Sequence, residues 1–379
     1  MIYLDNAATS YPKPSSVYDE VMNCMKNYCA NSGRGSHDMA IKSALKVMEC
    51  RNLISEVFNI KSPLNIVFTS NATEALNIAI KGVLNNGDHV ISTVVEHNSV
   101  LRPLKKMSDL GAEITFVASD KAGYIRPIDI QNEIRFNTKA IIINHASNVL
   151  GSVQNINEIG KIAKSHGVIF IVDSSQSAGT IDIDVEGDNI DLLAFPGHKG
   201  LLGPQGTGAL YIREGLNLHT FKEGGTGSSS NSMNQPVELP DKFESGTLNI
   251  PGIAGLCEGI KFIKSVGVNN IHKEEMKLAE QILEEFNKLD FINVYGNKLS
   301  DNRVAVISFN IDGIDASIVG EKLNEASIAV RNGYHCASLI HNIIGTEYMG
   351  TVRVSPGIFN TSNDIDKFIK NIIGIYKNK

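Results

Sequence analysis

The sequence predicts an α/β fold built on a mainly parallel sheet, and three observations predict it. Strand-like and helix-like segments alternate from Asn65 to Phe195, the order that a parallel sheet covered by helices requires. The run Val168-Ile169-Phe170-Ile171-Val172 is apolar throughout and stops at Asp173, as a strand buried on both faces does. At 379 residues, with 42% hydrophobic and 20% charged residues, the chain can bury a large core and form two lobes.

Taken in chain order, Ile41, Ala44, Leu45 and Met48 mark a helix by their i, i+3, i+4, i+7 spacing. Asn65 to Thr69 reads as a strand, and Ser70 to Asn77 as a turn entering a helix. Val90 to Val95 is a strand that ends in Glu96-His97-Asn98-Ser99. Ile141-Ile142-Ile143 ends likewise in Asn144-His145-Ala146-Ser147-Asn148, and Leu192 to Phe195 leads into Pro196-Gly197-His198-Lys199. From Lys222 to Asn249 the rhythm breaks, because Gly224-Gly225-Thr226-Gly227 and Ser228 to Ser230 sustain neither helix nor strand. Such a long loop is either functional or a surface excursion. Beyond it come a helix with Ala279, Ile282, Leu283 and Phe286, a strand near Val304 to Phe309, and a final helix on Ile365, Phe368, Ile369 and Ile372. These read as a smaller α+β lobe. The sequence has no internal repeat.

The polar residues at the strand ends carry the chemistry. In an open α/β sheet the carboxyl ends of the strands face the ligand crevice. Asp173 and Lys199, delivered by two such ends, are the pair that pyridoxal phosphate needs: an amine to bond its aldehyde and a carboxylate to keep its ring nitrogen protonated. The plain alternative is a strand-end aspartate and a surface lysine that never meet. Small and hydroxylated residues at the start of the helix after Ser70 leave N–H groups free for an anion. Thr73 would touch a phosphate there, or simply cap the helix. His97 at the next strand end could lie flat on the pyridine ring, or be no more than a satisfied surface histidine.

Cys336 is the candidate nucleophile, since a reactive thiolate needs an exposed, electropositive setting and Arg331 and His335 are near it in sequence. Cys24, Cys29, Cys50 and Cys257 read as small apolar residues, and no cysteine pair or histidine cluster has zinc spacing. Arg353 follows Thr351-Val352, and a guanidinium can clasp a carboxylate with two parallel hydrogen bonds.

Charge and composition exclude other classes. A formal net charge of -6 gives no nucleic-acid footprint. No apolar run is long enough to span a bilayer, and the N-terminus lacks a signal-peptide pattern. Five scattered cysteines suit a reducing compartment, so the expected location is the cytoplasm.

The combined motifs resemble a known family. They are Tyr3-Leu4-Asp5-Asn6-Ala7-Ala8-Thr9, Ala72-Thr73-Glu74, Glu96 to Ser99, Ser147-Asn148-Val149-Leu150-Gly151, Asp173-Ser174-Ser175-Gln176 and Gly197-His198-Lys199, followed by Glu244 to Thr247, Arg331 to Cys336 and Val352 to Ser355. In this order they resemble the class V aminotransferase superfamily, and within it the second group of cysteine desulfurases and the selenocysteine lyases. The resemblance implies a PLP fold type I architecture. A large domain, residues 15–262, would hold a mainly parallel seven-stranded sheet flanked by helices. A smaller α+β domain would combine residues 1–14 and 263–379.

It implies catalytic roles for Lys199, Cys336 and His97. Cofactor contacts would come from Ala72, Thr73, His97, Asp173, Gln176, His198, Lys199 and Thr247, with Gln176 on the phenolic oxygen and Thr247 supplied by a partner subunit. Substrate contacts would come from Ala7, Asn148 and Arg353. The implied reaction converts L-cysteine to L-alanine and leaves the sulfur on Cys336 as a persulfide, for delivery to a sulfur-acceptor protein. The implied assembly is a homodimer with shared active sites, and no metal is implied. L-Selenocysteine as substrate, another class V activity such as an aminotransferase or epimerase, and a non-catalytic scaffold are the competing readings. The sequence departs from the family pattern at Pro196, where relatives carry a phosphate-binding hydroxyl, and at Tyr334 and Ser338.

Overall fold

The computed structural model describes residues 1–33, 35–296 and 302–378. At its centre β2 (Ile66–Thr69), β8 (Gly208–Ile212), β7 (Leu192–Pro196), β6 (Ile169–Asp173), β5 (Thr138–Asn144), β3 (His89–Thr93) and β4 (Glu113–Val117) lie side by side in that order. Only β8 runs against the others. The unbroken apolar runs are explained by burial on both faces, because successive side chains of a strand point to opposite sides. Ile141, Ile143, Phe170 and Val172 join one core with α2 (Asp38–Val57), α6 (Ile156–Ser165) and α7 (Ile250–Val266). Ala140, Ile142 and Ile171 join the opposite core with α3 (Ala72–Val83) and α4 (Asn98–Asp109). The helices α1 (Ser15–Asn27) and α5 (Pro127–Asn132) belong to the first of these layers, with Cys24 and Ile130 in the core shared by α2, α6 and α7.

A second, antiparallel sheet has the order β12 (Arg331–Gly333), β13 (Thr351–Val354), β10 (Ile307–Ile311) and β9 (Ile292–Tyr295). It packs on α8 (Val268–Phe286), α9 (Ala316–Glu325) and α11 (Ser362–Lys377) through Phe286, Phe309, Phe368 and Ile372. The ring centroids of Phe286 and Phe309 lie 4.8 Å apart. The N-terminal β1 (Ile2–Tyr3) pairs in parallel with β11 (Ile328–Ala329), so the start of the chain is bound into this second layer. The short helix α10 (Ser338–Ile344) follows the Cys336 loop.

Two elements differ from their sequence signal. The strand expected near Val304 begins only at Ile307, because Val304 and Val306 bury against Ala7 and Ala146 in a separate small cluster. The helix marked by Ile41, Leu45 and Met48 is present, but those side chains are 48%, 65% and 38% exposed. Its inward face is Ala40, Ser43, Val47, Cys50 and Ile54. The loop expected at 222–249 contains no helix or strand. Among the described residues, no helix is long and apolar enough to cross a membrane.

Candidate active site

The carboxyl ends of β5, β6 and β7 meet in register, with Asn144 beside Asp173 and Asp173 beside Ala194. They open on a cavity of about 210 Å³. Of the residues the sequence singled out, Ala7, Ala72, Thr73, His97, Asn148, Asp173, Gln176, His198, Lys199 and Arg353 all line it. The strand-end aspartate and the lysine therefore do meet in one site.

Asp173 is 2% exposed. Its Oδ1 accepts from Ser175 N at 2.9 Å and from Ser175 Oγ at 2.5 Å. Oδ2 has no partner among the described residues. Burial pushes this carboxyl above its usual range, while the Ser175 hydrogen bonds and Lys199 pull it back. A cation at Oδ2 would relieve that cost. Lys199 Nζ also lacks a hydrogen-bond partner among the described residues. Burial lowers its pKa to about 8, with Arg353 and Arg331 adding repulsion and Asp173 opposing it. A large fraction of neutral amine near pH 8 is what nucleophilic addition to an aldehyde requires.

His97 caps α4, and its Nδ1 accepts from Ser99 N at 3.0 Å. The ring proton is thereby assigned to Nε2. Burial, reinforced by Lys199 and the neighbouring arginines, lowers its pKa to about 4, so the imidazole is neutral at physiological pH. The N-cap of α3 is Asn71, whose Oδ1 accepts from Glu74 N at 2.9 Å. Thr73 is thus not the cap, and the first-turn N–H groups of Ala72 and Thr73 have no intrahelical acceptor. Gln176 Nε2 donates to Ala7 O at 2.9 Å.

The turn carrying Lys199 is fastened by residues that the sequence reading missed. Lys13 Nζ donates to His198 O at 2.7 Å and to Ser10 Oγ at 2.6 Å. Thr9 Oγ1 donates to the same carbonyl at 3.1 Å and lies 3.1 Å from His198 Nδ1. The only sequence signal was their position at the end of the Tyr3-to-Thr9 motif, for Thr9, or just after it, for Ser10 and Lys13.

Cys336 stands at the rim and is not among the residues lining the cavity. Arg331, which does line it, donates from Nη2 to Cys336 Sγ at 3.3 Å. His335 does not assist: its Nε2 faces Thr351, 2.9 Å from Oγ1, and burial holds its pKa far below the usual range. Both His335 and Cys336 have left-handed backbones, with φ of 50° and 59°, a conformation that costs energy and recurs at functional sites. The loop is pinned by Asn98 N on Cys336 O at 2.7 Å and by Asn148 Nδ2 on His335 O at 2.6 Å. Asn148 is therefore already engaged by the cysteine loop. Thr247 lies apart, in a separate cavity with Glu244 and Lys222.

The site thus gathers Lys199, Arg331 and Arg353 with one helix N-terminus and one carboxylate oxygen that has no partner among the described residues, a setting suited to an anionic ligand. Among the described residues no group of three or more His, Cys, Asp or Glu could hold a metal ion.

The family model for Aminotransferase class-V matches residues 2–368. A "Probable cysteine desulfurase" of Methanothermobacter thermautotrophicus is 36% identical over 371 residues, covering 96% of this chain and 92% of that one. A "Cysteine desulfurase" of Haloferax volcanii is 30% identical and covers 98% of this chain and 88% of its own. The solved apo structure of cysteine desulfurase from Thermococcus onnurineus NA1 superposes with a TM-score of 0.94 at 34% identity, covering 100% of this chain and 95% of that one. With the motifs in order, the strand ends converged and the match nearly end to end, the chain belongs to the class V aminotransferase family.

Proposed function

We propose that the protein is a cysteine desulfurase that uses pyridoxal phosphate and carries the sulfur of L-cysteine away on Cys336. The observation that carries this reading is the contact between Arg331 Nη2 and Cys336 Sγ, at 3.3 Å, on the rim of the cavity that holds Lys199 and Asp173. The Oδ2 of Asp173 and the amine of Lys199, neither with a hydrogen-bond partner among the described residues, and the open first turn of α3 fit the ring nitrogen, aldehyde and phosphate of that cofactor. When bound, the cofactor supplies an electron-accepting ring that stabilises negative charge on the substrate carbons.

Lys199 would hold the cofactor aldehyde and carry protons to and from the substrate, since its amine is partly neutral near pH 8. Asp173 would pair with the ring nitrogen, neutral His97 would cover the ring, and Gln176 would face the phenolic oxygen. Ala72, Thr73 and His198 would hold the phosphate. Pro196 has no N–H or hydroxyl to add. Arg353 would receive the substrate carboxylate beside Asn148 and Ala7. The Cys336 sulfur then attacks the substrate sulfur. An S–S bond forms as the substrate C–S bond breaks, leaving a persulfide on Cys336 and, after protonation of the carbon, alanine. Supplied with L-cysteine and an excess of thiol reductant, the loaded enzyme should release sulfide and alanine in equal amounts; alanine without sulfide would contradict the reading.

We further propose a cytoplasmic homodimer. Each chain would work as two lobes, residues 15–262 and residues 1–14 with 263–379. Ile41, Leu45 and Met48 form an exposed stripe on α2; Met48 lines one surface cavity with Leu64, itself 44% exposed, and a second copy would cover this face. Such a partner would bring Thr247 to the phosphate. Leu45→Asp should shift sedimentation to a monomer and cut turnover together; a dimer persisting at full activity would count against this interface.

A further inference from the structure

Arg353 is 1% exposed, yet only part of its guanidinium is satisfied among the described residues. Nη2 donates to Asp5 Oδ1 at 2.8 Å and Nη1 donates to Asn148 O at 3.1 Å. The buried Nε–H has no acceptor among the described residues. Arg353 lines the cavity but Asp5 does not, so Asp5 reaches the guanidinium from outside the space a substrate would fill. The N-terminal segment holds Asp5 in place, through Tyr3 Oη on Asp5 O at 3.2 Å and Asn6 N on Ser355 O at 3.2 Å.

The need for such a partner is electrostatic. Arg331 stands directly opposite Arg353 in the β12–β13 register, and like charges placed so repel. Burial and Arg331 both disfavour the charged form of Arg353, and Asp5 restores it. A permanent counter-ion keeps the buried cation affordable when no ligand is present. The same negative charge must also weaken the attraction for a second carboxylate arriving from the cavity side.

On the reading that the substrate carboxylate docks on Arg353, we propose that Asp5 is a positioning residue that sets carboxylate affinity. It holds the guanidinium by Nη2, and by its charge keeps an incoming carboxylate from being held too tightly to leave. A residue that merely supported the fold would weaken binding when altered; Asp5 is expected to do the opposite.

The test is propionate binding to the cofactor-loaded protein, followed by calorimetry, with KM and kcat for L-cysteine alongside. Asp5→Asn keeps an oxygen for Nη2 and removes the charge. It should bind propionate about three- to tenfold more tightly, the order expected on removing one like charge near a partly solvated pair, and KM should fall with it. Asp5→Ser removes the charge and keeps a shorter oxygen, and should shift affinity in the same direction. Asp5→Ala, without any acceptor, should bind more weakly than Asp5→Asn. Unchanged or weaker propionate binding in both Asp5→Asn and Asp5→Ser would overturn the proposal, as would binding insensitive to Arg353→Lys. Propionate binding does not require desulfuration, so a chain inactive on cysteine would still report on Asp5.

Discussion

Lys199→Ala should abolish turnover while leaving the fold intact. Loss of a covalent anchor that is also a proton carrier is expected to cost roughly four orders of magnitude or more. The fold should survive because the amine has no hydrogen-bond partner among the described residues and is desolvated, with its pKa lowered to about 8. A lysine whose folded pKa lies below its unfolded value of 10.5 destabilises the folded state wherever it must be charged. In the cofactor-free protein, Lys199→Ala should therefore melt at or above the wild-type temperature below pH 8. The difference should shrink as the pH rises from about 8 toward 10.5, where the wild-type amine is neutral in the folded state. Thermal melts across that range check the sign. Borohydride trapping of the loaded wild-type enzyme should label the peptide containing Lys199, and a label on another lysine would remove it from this role.

Cys336→Ser should stop sulfur release by roughly a thousandfold or more, because a hydroxyl near neutral pH is a far poorer nucleophile than a thiolate. The substitution should leave the loop in place. Its anchors are backbone carbonyls, Cys336 O receiving Asn98 N and His335 O receiving Asn148 Nδ2, and serine keeps both. Substrate binding should persist too, since Arg353 and Lys199 are untouched, and L-cysteine should still change the visible band of the loaded enzyme. Selenide release from L-selenocysteine is expected to fall less, as selenium can leave without attack by a thiolate. Full sulfide release by Cys336→Ser would assign the sulfur step to another group.

Much of this site was legible because its residues sit where sequence patterns change. Asp173 ends an unbroken apolar run, and Lys199 follows another; a parallel strand buried on both faces has to stop at the crevice, so its end is visible. His97 and the start of α3 were legible for the same reason. Contacts between distant segments were not. Nothing in the local pattern places Lys13 on the carbonyl of His198 or Asp5 on Arg353, 348 residues away. The nearness of His335 to Cys336 in sequence suggested help for the thiol, but a left-handed backbone at both residues separates them, and His335 faces Thr351 instead. The stripe of Ile41, Leu45 and Met48 identified α2 correctly while concealing its inward face. Val47 and Ile54 pack there, but Ala40, Ser43 and Cys50 beside them are small or polar, so that face does not stand out as an apolar stripe. The Val304 strand was drawn too early because burial in a small side cluster looks the same in sequence as burial in a sheet.

The central claim is that Cys336 carries the sulfur, and it can be read directly by mass spectrometry of the wild-type protein after brief exposure to L-cysteine without reductant. A persulfide on the peptide containing Cys336, absent from Cys336→Ser, is the predicted result. A persulfide confined to Cys24, Cys29, Cys50 or Cys257, with Cys336 unmodified, would contradict it.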